Sequence, residues 1–291
     1  MRTVHLRCFA KVNLFLGVLG KRPDGYHEIE TILHNVSLVD DVWVEETAGD
    51  GIEVVMDAGD VPPGENLAAR AAEALARRGV GRAGLRIRIE KSIPVAGGMG
   101  GGSADAAAVL IGLAHLSGAD VEPTVLEDAA ADVGSDVPFF LRGGTQVASG
   151  RGERLSPLEM PQPFWFVLGI DGRPLSTAAV YRAWSGPPSG RDRAPTAVVA
   201  AGGPREVARH LHNDLEPAAF ALRPELAAKK ERLLEAGCLG ALLSGSGPTL
   251  FGLCDDEGSA RRAAGVVSGI FDRVEVVRSH ARGVEISEAA H

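Results

Sequence analysis

Two residues near the start of the chain, Lys11 and Asn13 in "AKVNLFL", and one in its middle, Asp136 in "GSDVPFF", are of types that could handle a charged group in transfer. Between them lies "IPVAGGMGGGSADAAAVL", residues 93–110, with five glycines among the six positions 97–102. Glycine loses more backbone freedom on folding than any other residue, so such a run is unfavourable unless backbone must approach something closely. The alternating strand pattern "LRIRIEK" (85–91) precedes it, and a strong helix pattern, "SADAAAVLIGLAHLSG" (103–118), follows. That order gathers free N–H groups and the positive end of a helix dipole, roughly half a charge, at one spot. An anion site is the chemistry this implies. The run is not a Walker A loop, which needs a lysine after its last glycine where this chain has Ser103. It is not a clean dinucleotide fingerprint either, and H-R-D and D-F-G are absent. On composition alone, a glycine-rich connector without a ligand stays open.

The other candidates have ordinary readings beside the chemical ones. A strand would point Lys11 and Asn13 the same way, beside the apolar layer of Val4, Leu6, Cys8, Ala10, Val12, Leu14 and Leu16. There Lys11 is a candidate point charge for a phosphoryl group, where a lone lysine would be a solvated one. Asp136 reads as the N-cap of a short helix with Pro138 near its start, and Ser103 as the cap of the helix after the glycines. Tyr26 and His27 read as a turn aromatic and a surface histidine. Thr177 and Tyr181, four apart, share a helix face, which for Tyr181 could mean core packing.

The elements that must position these residues alternate between strand and helix patterns. "RPDGYHE" (22–28) is a turn between two strands, and "AGDG" (48–51) reads as a hairpin into "IEVVMD". A helix is expected over 65–79, its apolar stripe made by Leu67, Ala71, Ala74 and Leu75, and another over 124–133. "FWFVLGI" (164–170) opens a second region. The Pro/Gly-rich stretch 185–204 reads as a mobile loop, with helices around 205–212 and 222–236. "ALLSGSGPTLFGLCD" (241–255) is strand, glycine turn, strand; a helix near 257–268 and a strand at 273–278 close the pattern. Strands and helices without regular βαβ alternation indicate an α+β fold in two parts meeting at a cleft.

Composition bounds the function. The 291 residues carry a formal charge of −8 with no compensating Lys/Arg cluster, which argues against a nucleic-acid or anionic-membrane surface. Cys8, Cys238 and Cys254 are too few and scattered for a disulfide framework and read as buried apolar residues in a reducing compartment. No apolar stretch approaches a membrane span and the N-terminus lacks a signal-peptide core, so the cytoplasm is the expected location.

"PVAGGMGGGSADAAAVL" resembles the proline-led, glycine-rich phosphate-binding motif of the GHMP kinases (galactose, homoserine, mevalonate and phosphomevalonate kinases). "AKVNLFL" resembles that family's N-terminal motif and "LSGSGPTLF" (243–251) its third, C-terminal one. Three separated motifs in the expected order span nearly the whole chain. "AKVNLFLGVLGKRPDGYHEIETIL", "GSDVPFFLRGG" and "HNDLE" (212–216) look like the branch that phosphorylates a cytidine diphosphate-linked methylerythritol in the non-mevalonate route to isoprenoid precursors. Arg22-Pro23-Asp24-Gly25-Tyr26-His27 supplies that branch's substrate loop, and its Asp24-Gly25-Tyr26-His27 speaks against another kinase of the family such as a homoserine kinase.

The resemblance implies a two-domain GHMP kinase fold. An N-terminal, ATP-binding domain over 1–155 and a C-terminal ferredoxin-like, substrate-side domain over 156–291 would form the active site in the cleft between them. It implies ATP and Mg²⁺ as cofactors and a small molecule as partner, with no nucleic acid and no membrane. It assigns Lys11 and Asp136 to catalysis, Asp136 accepting the proton of the substrate hydroxyl. Because phosphoryl transfer leaves little covalent work for a base, Asp136 would orient as much as deprotonate. Pro94, Ala96, Gly97, Gly98, Met99, Gly100, Gly101, Gly102 and Ser103 would hold ATP, with Ser103 touching phosphate or Mg²⁺ and Asn66 and Lys91 at the adenosine end. Ala96 departs from a glycine common in relatives, which should not alter a loop that binds through its backbone. Asn13, Tyr26, His27, Thr177 and Tyr181 would meet the substrate, Tyr26 stacking on the base and His27 hydrogen bonding to it. A catalytically dead binding protein of this fold is the alternative that Lys11 and Asp136 argue against. A dinucleotide-binding oxidoreductase would need an acidic residue at a strand end, and Asp120 lies in a loop sequence.

Overall fold

The computed structural model describes residues 2–57, 63–81, 84–160, 162–189 and 194–287. β1 (Thr3–Lys21) and β2 (His27–Glu46) make a long antiparallel hairpin around the expected turn, in which Gly25 takes a φ of 87°. β3 (Gly51–Met56) follows, then α1 (Leu67–Ala76) and β4 (Gly84–Glu90). The hairpin expected at 48–51 does not form. β4 pairs antiparallel with β2, and β3 lies outside it, parallel to β4. The stripe of α1 is also rotated: Ala68, Ala71, Ala72, Ala74 and Leu75 are buried, and Leu67 is only partly so.

α2 (Gly101–Ser117), α3 (Pro123–Val133), α4 (Val137–Arg142), β5 (Thr145–Gly150) and β6 (Arg154–Pro157) complete the first part. The second part holds β7 (Trp165–Ile170), α5 (Thr177–Ala183), α6 (Thr196–Ala201), α7 (Pro204–Ala208), β8 (His212–Asn213), α8 (Glu216–Leu222) and α9 (Glu225–Glu235). Then come β9 (Gly240–Leu243), β10 (Leu250–Cys254), α10 (Glu257–Val267), β11 (Arg273–Arg278) and β12 (Val284–Ser287). The stretch read as a loop over 185–204 contains α6, because "TAVVAA" can bury Val199 against the core; its residues 190–193 lie outside the described residues. The helix expected over 205–212 ends at Ala208, before the strand residues His212–Asn213; the one expected over 222–236 forms as α9, starting after Pro224; and α8 between them was not expected.

β7, β9, β10 and β11 form an antiparallel sheet in the order β11-β7-β10-β9, which with the intervening helices is the β-α-β-β-α-β ferredoxin-like arrangement. The larger sheet runs β12-β1-β2-β4-β3, with β5 and β6 continuing from β2 and β8 added to β1. β12, from the C-terminal half, thus returns to the first sheet beside β1.

β1 explains how the two parts meet. Its Leu6 and Cys8 pack in the core with Leu110 and Leu113 of α2, while Ala10, Val12, Leu14 and Phe15 pack with Phe166, Leu168, Phe251 and Leu253 of the second sheet. A strand covered on both faces reads as a continuous apolar run, which is why the alternation of the first residues dissolves after Cys8. Fully burying a side chain such as Phe166 contributes about 1.5–3 kcal/mol, so this seam is a substantial part of what holds the parts together. The three cysteines are free and buried. No helix among the described residues is long and apolar enough to cross a membrane.

Candidate active site

Lys11 and Asn13 interrupt this apolar seam. β1 carries irregularities between Phe9 and Lys11 and between Asn13 and Phe15, which bracket the two polar residues. The first is held by Asn35, whose buried Nδ2 donates to the carbonyls of Phe9 (3.1 Å) and Ala10 (3.0 Å). Lys11 and Asn13 do lie on one side: Lys11 Nζ donates to Asn13 Oδ1 at 2.8 Å and to the Gly98 carbonyl at 2.9 Å. Asn13 Nδ2 is in turn fixed by donating to Thr31 Oγ1 at 2.9 Å. Burial holds Lys11 below the ordinary lysine range, opposed by the nearby negative charge of Asp136.

Asp136 stands at the N-cap position of α4, but its side chain makes no capping hydrogen bond. The cap reading therefore does not account for it. With Lys11 it lines a cleft of about 1110 Å³ between the two parts.

The glycine run forms the floor of that cleft, and its shape shows why glycine is needed. Gly98 has a φ of 77°, and a Cβ there would fall 2.2 Å from the Ser244 carbonyl. Gly100 has a φ of 73°, and its Cβ would meet the Phe140 ring at 2.7 Å and Lys11 Cγ at 3.2 Å. The loop is thus clamped between Lys11, Phe140 and the third glycine motif, as well as open to the cleft. Ser244 Oγ donates to the Gly98 carbonyl at 3.0 Å, and Thr249 N to the Gly97 carbonyl at 3.3 Å. Ala96 occupies a φ of 55°, a left-handed conformation that favours glycine, so alanine here carries local strain.

Ser103 does not cap α2. The helix starts earlier, at Gly101, with left-handed Gly100 as N-cap, and Ser103 sits inside the first turn facing the cleft. Pro94, Ala96, Gly97, Gly98, Gly100, Gly101 and Gly102 line the cleft too. Met99 does not; its side chain is wholly buried in the seam, and its carbonyl accepts from Lys11 N at 3.0 Å. Asn66 is at the cleft wall as the N-cap of α1, its Oδ1 accepting from Ala68 N at 2.9 Å. Lys91 reaches the floor from beneath, and its Nζ is shared by Asp40 (2.5 Å) and Asp105 (2.7 Å).

At the other end of the cleft, Tyr26 is 57% exposed, with the Arg151 guanidinium 5.1 Å from its ring centre. His27 stacks on Tyr181 at 5.0 Å and meets the edge of Trp184 at 5.7 Å. Burial and the charge of Lys21 keep His27 below the usual histidine value, which favours the neutral ring. Thr177, the first residue of α5, exchanges a hydrogen bond with Ser246 at 2.8 Å. Tyr181, one turn on, has its phenol raised by burial and by Asp136. Every expected site residue except Met99 therefore lines the one cleft.

Gly245 and Ser246, from the third glycine motif, line it as well, as do Arg151 and Trp184, which were not read from the sequence. The Trp184 signal was its spacing of three from Tyr181 on one helix. "HNDLE" acquires a physical role: Asn213 Nδ2 donates to the carbonyls of Leu243 and Gly245, both at 2.8 Å, and Glu216 Oε1 accepts from Leu243 N at 2.9 Å. It sets the third glycine turn against Lys11.

Models of known families match both parts: the GHMP kinases N terminal domain over residues 66–144 and the GHMP kinases C terminal domain over residues 197–272. The chain is 45% identical over 274 residues to the 4-diphosphocytidyl-2-C-methyl-D-erythritol kinase of Pelotomaculum thermopropionicum, covering 93% of this chain and 96% of that protein. A crystal structure of a 4-(cytidine 5'-diphospho)-2C-methyl-D-erythritol kinase superposes with a TM-score of 0.77 at 38% identity, covering 94% of this chain and 98% of that one. A homoserine kinase from Cytophaga hutchinsonii reaches a TM-score of 0.79 over 99% and 98% of the chains at 19% identity, a likeness of fold alone.

Proposed function

This chain belongs to the 4-diphosphocytidyl-2-C-methyl-D-erythritol kinases of the GHMP kinase family, and we propose that it transfers the γ-phosphoryl group of ATP to the 2-hydroxyl of that substrate, giving the 2-phosphate and ADP. The observation that carries the reading is a buried lysine with only neutral hydrogen-bond partners, facing an uncapped aspartate across a glycine-floored cleft.

In this reading the glycine loop and the start of α2 bind the ATP phosphates through backbone N–H groups, and Asn66 lies at the nucleoside end. The substrate hydroxyl oxygen attacks the γ-phosphorus while the bond to the β-bridging oxygen breaks and ADP leaves. Asp136 orients the hydroxyl and takes its proton. Lys11, aimed by Asn13 and the Gly98 carbonyl, offsets charge on the transferring group without having to reorganise. Thr177 and Tyr181 flank the methylerythritol side, while Tyr26 and His27 meet the cytosine, Tyr26 through its exposed ring face. The ATP site then falls within 1–155 and much of the substrate wall within 156–291, with Tyr26 and His27 reaching across from the first part.

Mg²⁺ fits as the ion accompanying ATP, held by the phosphates themselves with the Ser103 hydroxyl as an oxygen donor lining the cleft. Bound there, it would neutralise phosphate charge. The group of potential metal-ligating side chains found among the described residues, Cys8, Asp40 and Asp105, does not suit it. That group includes a thiol, and the Lys91 ammonium already sits against both carboxylates.

The test is ADP release with ATP and, in parallel, the cytidylylated methylerythritol, homoserine and mevalonate. Turnover with the first alone is expected. Turnover of homoserine or mevalonate in its place, or of none, would overturn the assignment.

A further inference from the structure

Lys91 directly follows β4 and precedes the glycine loop, and Asp105 lies just over a turn into α2, on the loop's far side. Their side chains meet beneath it, Nζ to Oδ2 at 2.7 Å, with exposures of 4% and 5%. Asp40, from β2 and wholly buried, completes the cluster: its Oδ2 takes Lys91 Nζ, and its Oδ1 accepts from Ser92 N (2.5 Å) and Ile93 N (2.7 Å) at the loop's entrance. The Cys8 thiol donates to the remaining oxygen of Asp105 at 3.4 Å. The ammonium lies so close under the loop that a Cβ on Gly101 would fall 3.1 Å from Nζ.

We propose that Lys91, Asp40 and Asp105 are positioning residues that staple the entrance and exit of the glycine loop together, holding its N–H groups in their ATP-binding arrangement before the nucleotide arrives. The proposal rests on the ATP reading of that loop. Lys91 acts through the loop rather than on phosphate, because two carboxylates already exceed its single charge. Burial and the charge of Asp40 push the Asp105 carboxyl upward while Lys91 opposes them, as one ammonium shared by two acids requires. A run of five glycines has the most backbone freedom to lose on binding, so fixing both its ends in advance removes an ordering cost from ATP affinity.

The charge count makes the staple testable without unfolding the chain. Asp105→Ala removes one of two carboxylates and leaves Lys91 balanced by Asp40, at a helical position where alanine is favourable. Asp105→Asn keeps an acceptor for Lys91. The measurement is calorimetric titration of the full chain with ATP and, separately, with the cytidylylated substrate. Asp105→Ala is expected to weaken ATP by about tenfold or more, to leave the substrate affinity essentially unchanged, and to be largely rescued in Asp105→Asn. If the alanine variant fails to fold, Asp105→Leu, which fills the space, carries the same expectation. A folded Asp105→Ala or Asp105→Leu chain with wild-type ATP affinity would overturn the staple, as would equal loss of both ligands. A wild-type chain that binds no ATP would instead overturn the kinase reading beneath it.

Discussion

Lys11 and Lys91 approach the same glycine loop from two sides, both almost out of solvent, and the fold treats their charges differently. Lys11 has an amide oxygen and a carbonyl for partners, and burial draws its pKa down. Lys91 has two carboxylates, whose charges outweigh burial and draw its pKa up. A buried cation with only neutral acceptors keeps its charge available to an incoming anion, whereas one outnumbered by carboxylates has none to offer. What separates a reactive lysine from a structural one here is the company it keeps, since burial is common to both.

The largest effect expected from this contrast is on the group opposite Lys11. Asp136→Asn keeps the size of the side chain and the N-cap preference but removes the proton acceptor. Turnover should fall by about 10²–10⁴, with little change in melting temperature or substrate affinity. Steady-state kinetics beside a thermal melt would show this, and near-normal kcat in a folded variant would return Asp136 to architecture.

Removing Lys91 should act on stability. Lys91→Met leaves Asp40 and Asp105 facing each other, buried and uncompensated, which for a broken buried pair costs about 3–5 kcal/mol. Urea unfolding would read the loss. A variant as stable as wild type would mean the carboxylates shed their charge freely and the two lysines are less distinct than their partners suggest.

His34 is a third buried basic side chain, and it tolerates burial by staying neutral. Its Nδ1 meets Thr145 Oγ1 and its Nε2 meets Ser279 Oγ, both at 2.8 Å, and burial lowers its pKa to about 3. Below about pH 6.5 the unfolded chain gains a proton on this ring that the native chain does not, so stability falls as pH drops toward 3. The slope is at most about 1.4 kcal/mol per pH unit. Comparing unfolding of wild type and His34→Gln at several pH values isolates it, because the other titrating groups are common to both. Parallel curves would show that His34 takes up its proton without penalty.

Motif-bearing stretches were legible because their residue types are constrained locally. The glycines of the run, "GYH" and Ser135-Asp136 of "GSDVPFF" line the cleft, and Thr177 and Tyr181 follow from helical spacing. What the sequence hid depends on contacts distant in the chain. The pairing of β3 with β4 rather than β2 is set by which strand inserts between them, and nothing in "AGDG" records that. Asp40 lies in no motif, and Asp105, inside the glycine motif, has no role there that its residue type signals; both join Lys91 only once β2 and α2 are packed. Lys91 enters as a nucleotide contact through the resemblance, and its two carboxylate partners are contacts that the sequence does not display. Ser103 looked like a cap because glycine is a poor helix former, yet Gly101 and Gly102 are helical where the loop must stay thin.

The contrast between the lysines is tested most directly by Lys11→Met. The substitution removes a buried charge that no carboxylate pairs directly, at the cost of two acceptors left with fewer donors, so the melting temperature should stay close to wild type. Turnover of the cytidylylated substrate with ATP should nevertheless fall by about 10²-fold or more, the scale of losing a preorganised charge at the transferring group. A folded Lys11→Met chain that turns over at near the wild-type rate would contradict the account.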